Sequence, residues 1–252
     1  MNQKYIIVLI TILILFLYLY FINKNNSDIQ IHLVISRYNE DLEWLKEDPF
    51  NKYPCTCYNK GINEDFYKPK NMKIVNIKNV GRCDHTYIYH IVNNYNSLSN
   101  YIMFLPGSCN IGYKKNKAIR WIEQIEQGNT DGNPVFIGEN YEKGVSNELY
   151  NFEINEWICS ECKNKELNPE SKLQLHDIRP FGKWYENHFG DKEVYYVSYH
   201  GIIGVDRKNI LMTPKEKYIK FMEELNKHSN PEVGHYFERA WAAIFNITDK
   251  DL

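Results

Sequence analysis

The run Tyr5–Ile22, YIIVLITILILFLYLYFI, has no charged residue, no proline and no glycine, and its polar groups are Thr11 and its tyrosines. As a helix rising about 1.5 Å per residue it comes close to the roughly 30 Å needed to cross a bilayer's hydrocarbon core. A secretory signal peptide has an apolar stretch of only about 7 to 15 residues before a small-residue cleavage site. Here the run passes through Leu, Tyr and Phe into NKNNSD. The sequence therefore predicts an uncleaved signal anchor, with competing readings as a cleaved signal peptide or a core helix. On this reading 1–4 is a short cytoplasmic tail, 5–22 a single transmembrane helix, 23–30 a linker and 31–249 a globular domain. Lys4 and the amino terminus set against Lys24 give a slight positive-inside bias. That bias places the C-terminal domain on the extracytoplasmic or lumenal side.

The remaining chain is balanced, with 30 Lys plus Arg against 32 Asp plus Glu. Without a sustained basic block there is no electrostatic footprint for nucleic acid, and none is expected as a partner. The length after residue 30 suits one substantial core rather than two. Six cysteines are present, arranged as Cys55 with Cys57, the isolated Cys83 and Cys109, and the Cys159–Cys162 pair. Outside the cytoplasm such thiols are expected in disulfides, with a link between the first pair and the last the most attractive. Zinc binding by the same four thiols and a redox-active Cys159–Cys162 are the alternatives.

Apolar patterning divides the domain. IQIHLVISRY (29–38) reads as a strand and NEDLEWLKED (39–48) as a first helix capped by Asn39. CTCYNKG (55–61) and MKIVNIKNVG (72–81) read as strands, HTYIYHIVNNY (85–95) as a helix and YIMFLPG (101–107) as an apolar strand. AIRWIEQIEQ (118–127) reads as a helix and PVFIG (134–138) as a strand. Residues 139–191 carry weaker signals and read as a long connection with short helices. VYYVSYHGIIGVDRKNI (194–210) follows as a strand or strand pair bent at Gly201 and Gly204. Helices are then expected at PKEKYIKFMEELNKH (214–228) and VGHYFERAWAAIF (233–245). This alternation predicts an α/β fold, a single mixed or mostly parallel sheet flanked by helices.

HLVISRYNEDLEWL, CYNKG, NVGRCDHTYIYHIVNNYNSLSNYIMFLPG, RPFGKWYENHFG, and GIIGVDRKNI followed by GHYFERAWAAIF resemble the protein family catalogued as domain of unknown function 3431. The resemblance spreads over most of residues 31–245. A fainter similarity links the chain to GT-A type glycosyltransferases, through HLVISRYNE, YIMFLPGS and YHGIIGVDR in the places of the opening strand, the donor-site strand and the glycine-containing strand. This resemblance implies a GT-A-like sheet. The chain departs from that pattern at Pro106-Gly107-Ser108-Cys109, where a metal-dependent member carries a DxD-like acidic pair. It implies no firm cofactor and no named metal ligand, although a divalent metal held by other groups is compatible with it.

Four clusters carry candidate chemistry. Ser36, Arg37, Asn39, Glu40 and Asp41 crowd the end of the first strand, the edge at which open α/β sheets bind ligands. Arg37 could pair with phosphate and the other groups with sugar hydroxyls; equally, Asn39 and the two acids could serve the following helix. Asn79, Gly81, Arg82, Asp84 and His85 form a second cluster that brings anion-binding and acid–base groups to the start of a helix, with Asp84 as a plain cap the alternative. His200 stands beside the Gly201 bend, as a donor to substrate or a satisfied core histidine. His235, Glu238 and Arg239 share one helical face, either facing a site or forming a surface ion pair. His235 and Glu238 do not make a HExxH motif, and PGSCN is no GxSxG elbow.

The GT-A resemblance, taken with the expected anchor, implies an expected function. A sugar passes from a nucleotide donor to a glycan or protein hydroxyl, with Glu238 as general base and His200 and His235 assisting. Arg37, Asn39, Glu40, Asp41, Arg82, Asp84, His85 and Arg239 hold the substrates. The expected partners are a nucleotide sugar, its acceptor and the lipid bilayer. The competing expectation is a noncatalytic glycan-binding or structural membrane protein that keeps the fold.

Overall fold

The computed structural model describes Ile12, 30–127, 136–140, 146–156 and 172–247. The expected anchor at 5–22 lies outside the described residues except for Ile12, which is helical and exposed. Among the described residues no helix is long and apolar enough to cross a membrane. The chain divides at Gln30, and the unit that starts at Ile31 carries every element below.

Its centre is a mixed six-stranded sheet. The strands are β1 Ile31–Arg37, β2 Cys55–Asn59, β3 Met72–Asn76, β4 Tyr101–Pro106, β5 Phe136–Ile137 and β8 Ile203–Asp206, in the spatial order β3-β2-β1-β4-β8-β5. The first four run parallel, while β8 is antiparallel to β4 and to β5. A separate short ladder pairs β6 Glu139–Asn140 with β7 Tyr196–Val197. Successive strand side chains point to opposite faces. Val34, Ile102, Phe104, Ile203 and Val205 accordingly join one large core, in which residues of α1 Arg82–Asn94, α4 Phe181–Phe189, α6 Lys215–Leu225 and α7 Val233–Ile244 also take part. Gly204 points the other way, where a Cβ would touch Ile125 of α2 Gly112–Glu126. Both sheet faces are therefore covered, which is why β1 and β4 read as nearly unbroken apolar runs. Two short helices, α3 Ser146–Tyr150 and α5 Arg207–Leu211, complete the set.

Several sequence expectations change here. NEDLEWLKED forms no α-helix, only a short 3-10 turn at Glu43–Lys46. Leu42 adopts a left-handed conformation with φ 61°, and Leu42, Trp44 and Leu45 are all buried, a spacing that suits a folded-back loop better than a helical face. Asn39 is no cap; its amide oxygen accepts from the backbone N–H of Asn63 at 3.2 Å. The 194–210 segment is split between two ladders, with a 3-10 turn Tyr199–Gly201 between β7 and β8. The expected disulfides are absent among the described residues: Cys55, Cys57, Cys83 and Cys109 are free thiols. Cys55 and Cys57 lie buried in a strand flanked on both sides by β1 and β3, so their thiols point into packed interior. Cys159 and Cys162 lie outside the described residues.

The chain runs from β1 outward to β2 and β3, then returns through α1 to place β4 on the other side of β1. Connections therefore diverge at the carboxyl ends of β1 and β4, the place where open α/β sheets leave a crevice for ligands. Because β8 runs antiparallel to β4, with Ile203 opposite Phe104, the approach to β8 at Tyr199–Gly201 arrives at that same edge.

Candidate functional site

Two polar centres stand at this edge, and they differ in kind. The first surrounds Arg37, whose side chain is fully buried. Its Nε donates to the carbonyl of Glu40 at 2.6 Å, and Nη1 donates to Asn59 Oδ1 at 2.6 Å and to the carbonyl of Asn63 at 2.7 Å. Phe66 covers the guanidinium with its ring centroid 3.7 Å away. The carboxylate of Glu40 accepts from the N–H groups of Tyr38 and Asn39 at 2.7 and 3.1 Å. Gly107 passes so close to it that a Cβ there would lie 2.6 Å from Glu40 Oε2. Asp41 accepts from the N–H of Glu43 at 3.0 Å. Arg37, Asn39, Glu40 and Asp41 are thus occupied in shaping the loops after β1 and β2. Only Ser36 of this cluster reaches α1, its hydroxyl bonded to that of Thr86 at 2.8 Å.

The second centre joins α1 to α7. Gly81 takes φ 57° ahead of α1, and its N–H donates to the carbonyl of His228 at 2.7 Å. A Cβ at Gly81 would fall 2.5 Å from the Leu225 carbonyl oxygen, so a side chain is excluded here on both counts. This turn sends Arg82 towards α7, where Nη1 donates to Asn230 Oδ1 at 3.0 Å and lies 3.3 Å from His235 Nε2. His235 Nδ1 faces Glu238 Oε2 at 3.6 Å. The neutral imidazole with its proton on Nδ1 suits both neighbours, since Nε2 then accepts from Arg82 while Nδ1–H points at the carboxylate. Glu238 Oε1 accepts from the backbone N–H of His200 at 3.2 Å. Asp84 is buried with Oδ1 accepting from the indole of Trp241 at 3.0 Å.

Electrostatics separate the two acids. Burial alone would raise the Glu238 carboxyl; the His235 contact and the charges of Arg82 and Arg239 outweigh it and hold the group below the usual carboxylate range. Asp84 is pushed up to about 7, first by burial and then by the negative charge of Glu238, with Trp241 and Arg82 opposing. Burial, reinforced by Arg82 and Arg239 against the pull of Glu238, lowers His235 and keeps it neutral. An ionised carboxylate beside one that retains its proton near neutrality is the pattern that divides base and acid roles.

His200 and Arg239 border this centre. His200 is exposed, and Arg239 stacks its guanidinium over Phe152 at 3.4 Å while donating to the His235 carbonyl at 2.7 Å. His85 packs beside Tyr89, with burial lowering it to about 4. Sequence reasoning missed four contributors. Asn230 and Trp241 hold Arg82 and Asp84, and Lys60 donates from Nζ to the carbonyls of Val80 and Arg82. Lys114, bonded to Ser108 Oγ at 3.0 Å, adds a cation whose field, with those of Lys60 and Arg82, acts on the Cys83 thiol. Asn230 lies in a connecting segment without a motif signal, and Lys60 falls within CYNKG, a segment that carried the family resemblance but no chemical assignment. Among the described residues no group of three His, Cys, Asp or Glu side chains is placed to hold a metal ion.

Fold and site together define an α/β protein with a mixed sheet and a paired-acid polar centre at the carboxyl edge of its parallel strands. Within that class, residues 33–251 match the model of a protein family of unknown function, DUF3431, and the chain belongs to that family. No curated protein and no solved structure matches the chain.

Proposed function

We propose that this domain is a GT-A-like glycosyltransferase that moves a sugar from a nucleotide donor to a hydroxyl acceptor, with Glu238 as general base. The observation carrying this reading is the part-exposed Glu238 carboxylate at the crevice edge, held ionised by its contact with His235 and by the charges of Arg82 and Arg239. In the reaction the acceptor oxygen forms a bond to the anomeric carbon as the bond from that carbon to the donor diphosphate breaks. Glu238 takes the acceptor proton. Arg82 is assigned to the negative charge that develops on the leaving diphosphate, and His235 orients Glu238 through its Nδ1–H. His200 fixes Oε1 of the base through its backbone N–H. Arg37 has no part in this scheme, because its side chain is fully buried beneath Phe66, with Nε and Nη1 bonded to Asn59 and to loop carbonyls. We further propose that residues 5–22 anchor the chain in a bilayer with the domain on the extracytoplasmic or lumenal side.

The test is to incubate the full-length protein with nucleotide sugars and glycan or peptide acceptors, with and without a divalent cation, and to follow products by mass spectrometry. Transfer should occur, and Glu238→Gln should slow it by about 10²–10⁴-fold. The rate should also fall at acid pH as Glu238 gains a proton. Unchanged turnover in Glu238→Gln would remove the base assignment, and folded protein that cleaves no donor would favour a noncatalytic glycan-binding role.

A further inference from the structure

One feature at the crevice edge is used by none of the steps above. Tyr113, in the first turn of α2 just after β4, is 49% exposed although it is a large aromatic residue. Its ring meets the imidazole of His200 at a centroid separation of 5.0 Å and an interplanar angle of 66°. The backbone N–H of that same His200 is bonded to Oε1 of Glu238. One residue therefore ties an exposed aromatic surface directly to the proposed base. His200 does so in a left-handed conformation, φ 70°, followed by Gly201 at φ 69°. A non-glycine side chain held there is a strained choice of the kind that clusters at functional sites. Glycine would take this backbone without strain, so the imidazole ring is what the strain retains.

We infer that Tyr113 and His200 form a stacking platform for the acceptor, and that the acceptor is a pyranose sugar of a glycan rather than a peptide hydroxyl. A pyranose presents a broad apolar C–H face to an aromatic ring while its hydroxyls point outward. An aromatic surface that adjoins a few placed polar groups is the usual composition of a small-molecule subsite. With the sugar's C–H face on the exposed Tyr113 ring and His200 meeting that ring edge-on beside it, a ring hydroxyl lies towards Glu238. Lys114, whose Nζ bonds to Ser108 Oγ and sits 6.0 Å from the Tyr113 ring centroid, offers a donor at the platform's other edge. The choice of a sugar acceptor rests on the base assignment above; the platform itself is a binding claim and can be tested without turnover.

The experiment is saturation-transfer NMR on the full-length protein with methyl glycosides of common hexoses and N-acetylhexosamines, alongside a serine-containing peptide. Affinities come from titration, and thermal unfolding checks the fold of each variant. The expected result is binding of at least one glycoside, strongest at the sugar's C–H protons, and none of the peptide. Tyr113→Ala should weaken that binding about tenfold, and Tyr113→Phe should retain it. His200→Gly, which keeps the left-handed backbone and its N–H to Glu238, should also weaken it. Glu238→Gln should bind the sugar nearly as wild type does, even where transfer is lost. Binding that is unmoved by both Tyr113→Ala and His200→Gly, preference for the peptide, or no glycoside binding by folded wild-type protein would each overturn the platform. A sugar-binding platform together with unimpaired transfer by Glu238→Gln would instead leave the platform standing and remove the base.

Discussion

Arg37 and Arg82 look alike along the chain and behave oppositely in space. Each follows a strand-like run, and each has an acid within four residues. Arg37 is fully buried, hydrogen-bonded to main-chain carbonyls and an asparagine amide beneath Phe66. Arg82 reaches from one helix to another, where it meets Asn230 and His235 and lowers Glu238 electrostatically. A guanidinium bound to carbonyls fixes backbone geometry. One that faces titratable side chains controls protonation. The difference teaches that an arginine at a strand end marks a ligand site only when its partners are groups that change charge or meet substrate.

Substitution at the two arginines should separate these roles most sharply. Arg37→Ala leaves buried carbonyls and Asn59 without their donor, and the unfolding free energy in urea should fall by about 3–5 kcal/mol, as when a buried charged network is broken from one side. Arg82→Ala should cost only about 1 kcal/mol of stability. Its effect should fall on the proposed sugar transfer, slowed about 100-fold, or about 2.7 kcal/mol of barrier. Large destabilisation in Arg82→Ala with unimpaired transfer would erase the distinction.

A second effect, on the order of 1–3 kcal/mol, concerns Asp84. Its folded value of about 7 stands above an unfolded value near 4, so the folded protein holds a proton that the unfolded chain releases. The stability gained from this is complete below about pH 4 and is lost as pH rises through about 7. Asp84→Asn cannot ionise, yet its amide oxygen still accepts from Trp241. The variant should therefore gain stability relative to wild type as pH climbs from 4 to 8, a trend read from melting temperatures across that range. A difference that does not vary with pH would show that Asp84 is ionised in the fold.

The smallest contrast lies in two cysteines. Cys57 sits in the field of Arg37 and Cys83 in that of Arg82. Burial pushes Cys57 up to about 12 and seals it in β2, whereas Cys83 is only half-buried beside Gly201, its thiol also raised by burial. Mild alkylation of native protein followed by peptide mass spectrometry should label Cys83 slowly and leave Cys55, Cys57 and Cys109 unlabelled until urea is added. Labelling of Cys57 in the native state would show that the Arg37 centre opens.

Much of the fold was legible. β1, β4, α1, α6 and α7 follow from apolar runs and helical spacing, because each buries a continuous face and the sequence must supply it. The first expected helix failed where acids that favour a helix start were drawn instead to nearby N–H groups, Glu40 to Tyr38 and Asn39 and Asp41 to Glu43. Of the candidate residues, Arg82, His235 and Glu238 come together, while Arg37 and its neighbours do not join them. Sequence spacing places His235 and Glu238 on one helical turn, but nothing in it brings Arg82 within reach of a helix 153 positions further along.

The sequence by itself determined the apolar run at 5–22, the alternating elements of an α/β domain and the set of chemically able residues, since these depend on local periodicity and composition. Only the tertiary structure decided the strand order, the free state of the described cysteines, and which arginine serves the loops and which faces the acids. Those outcomes depend on how a return crossover through α1 lays distant segments against one another. Burial and charge at such contacts are properties of neighbours in space, and a linear pattern does not specify them.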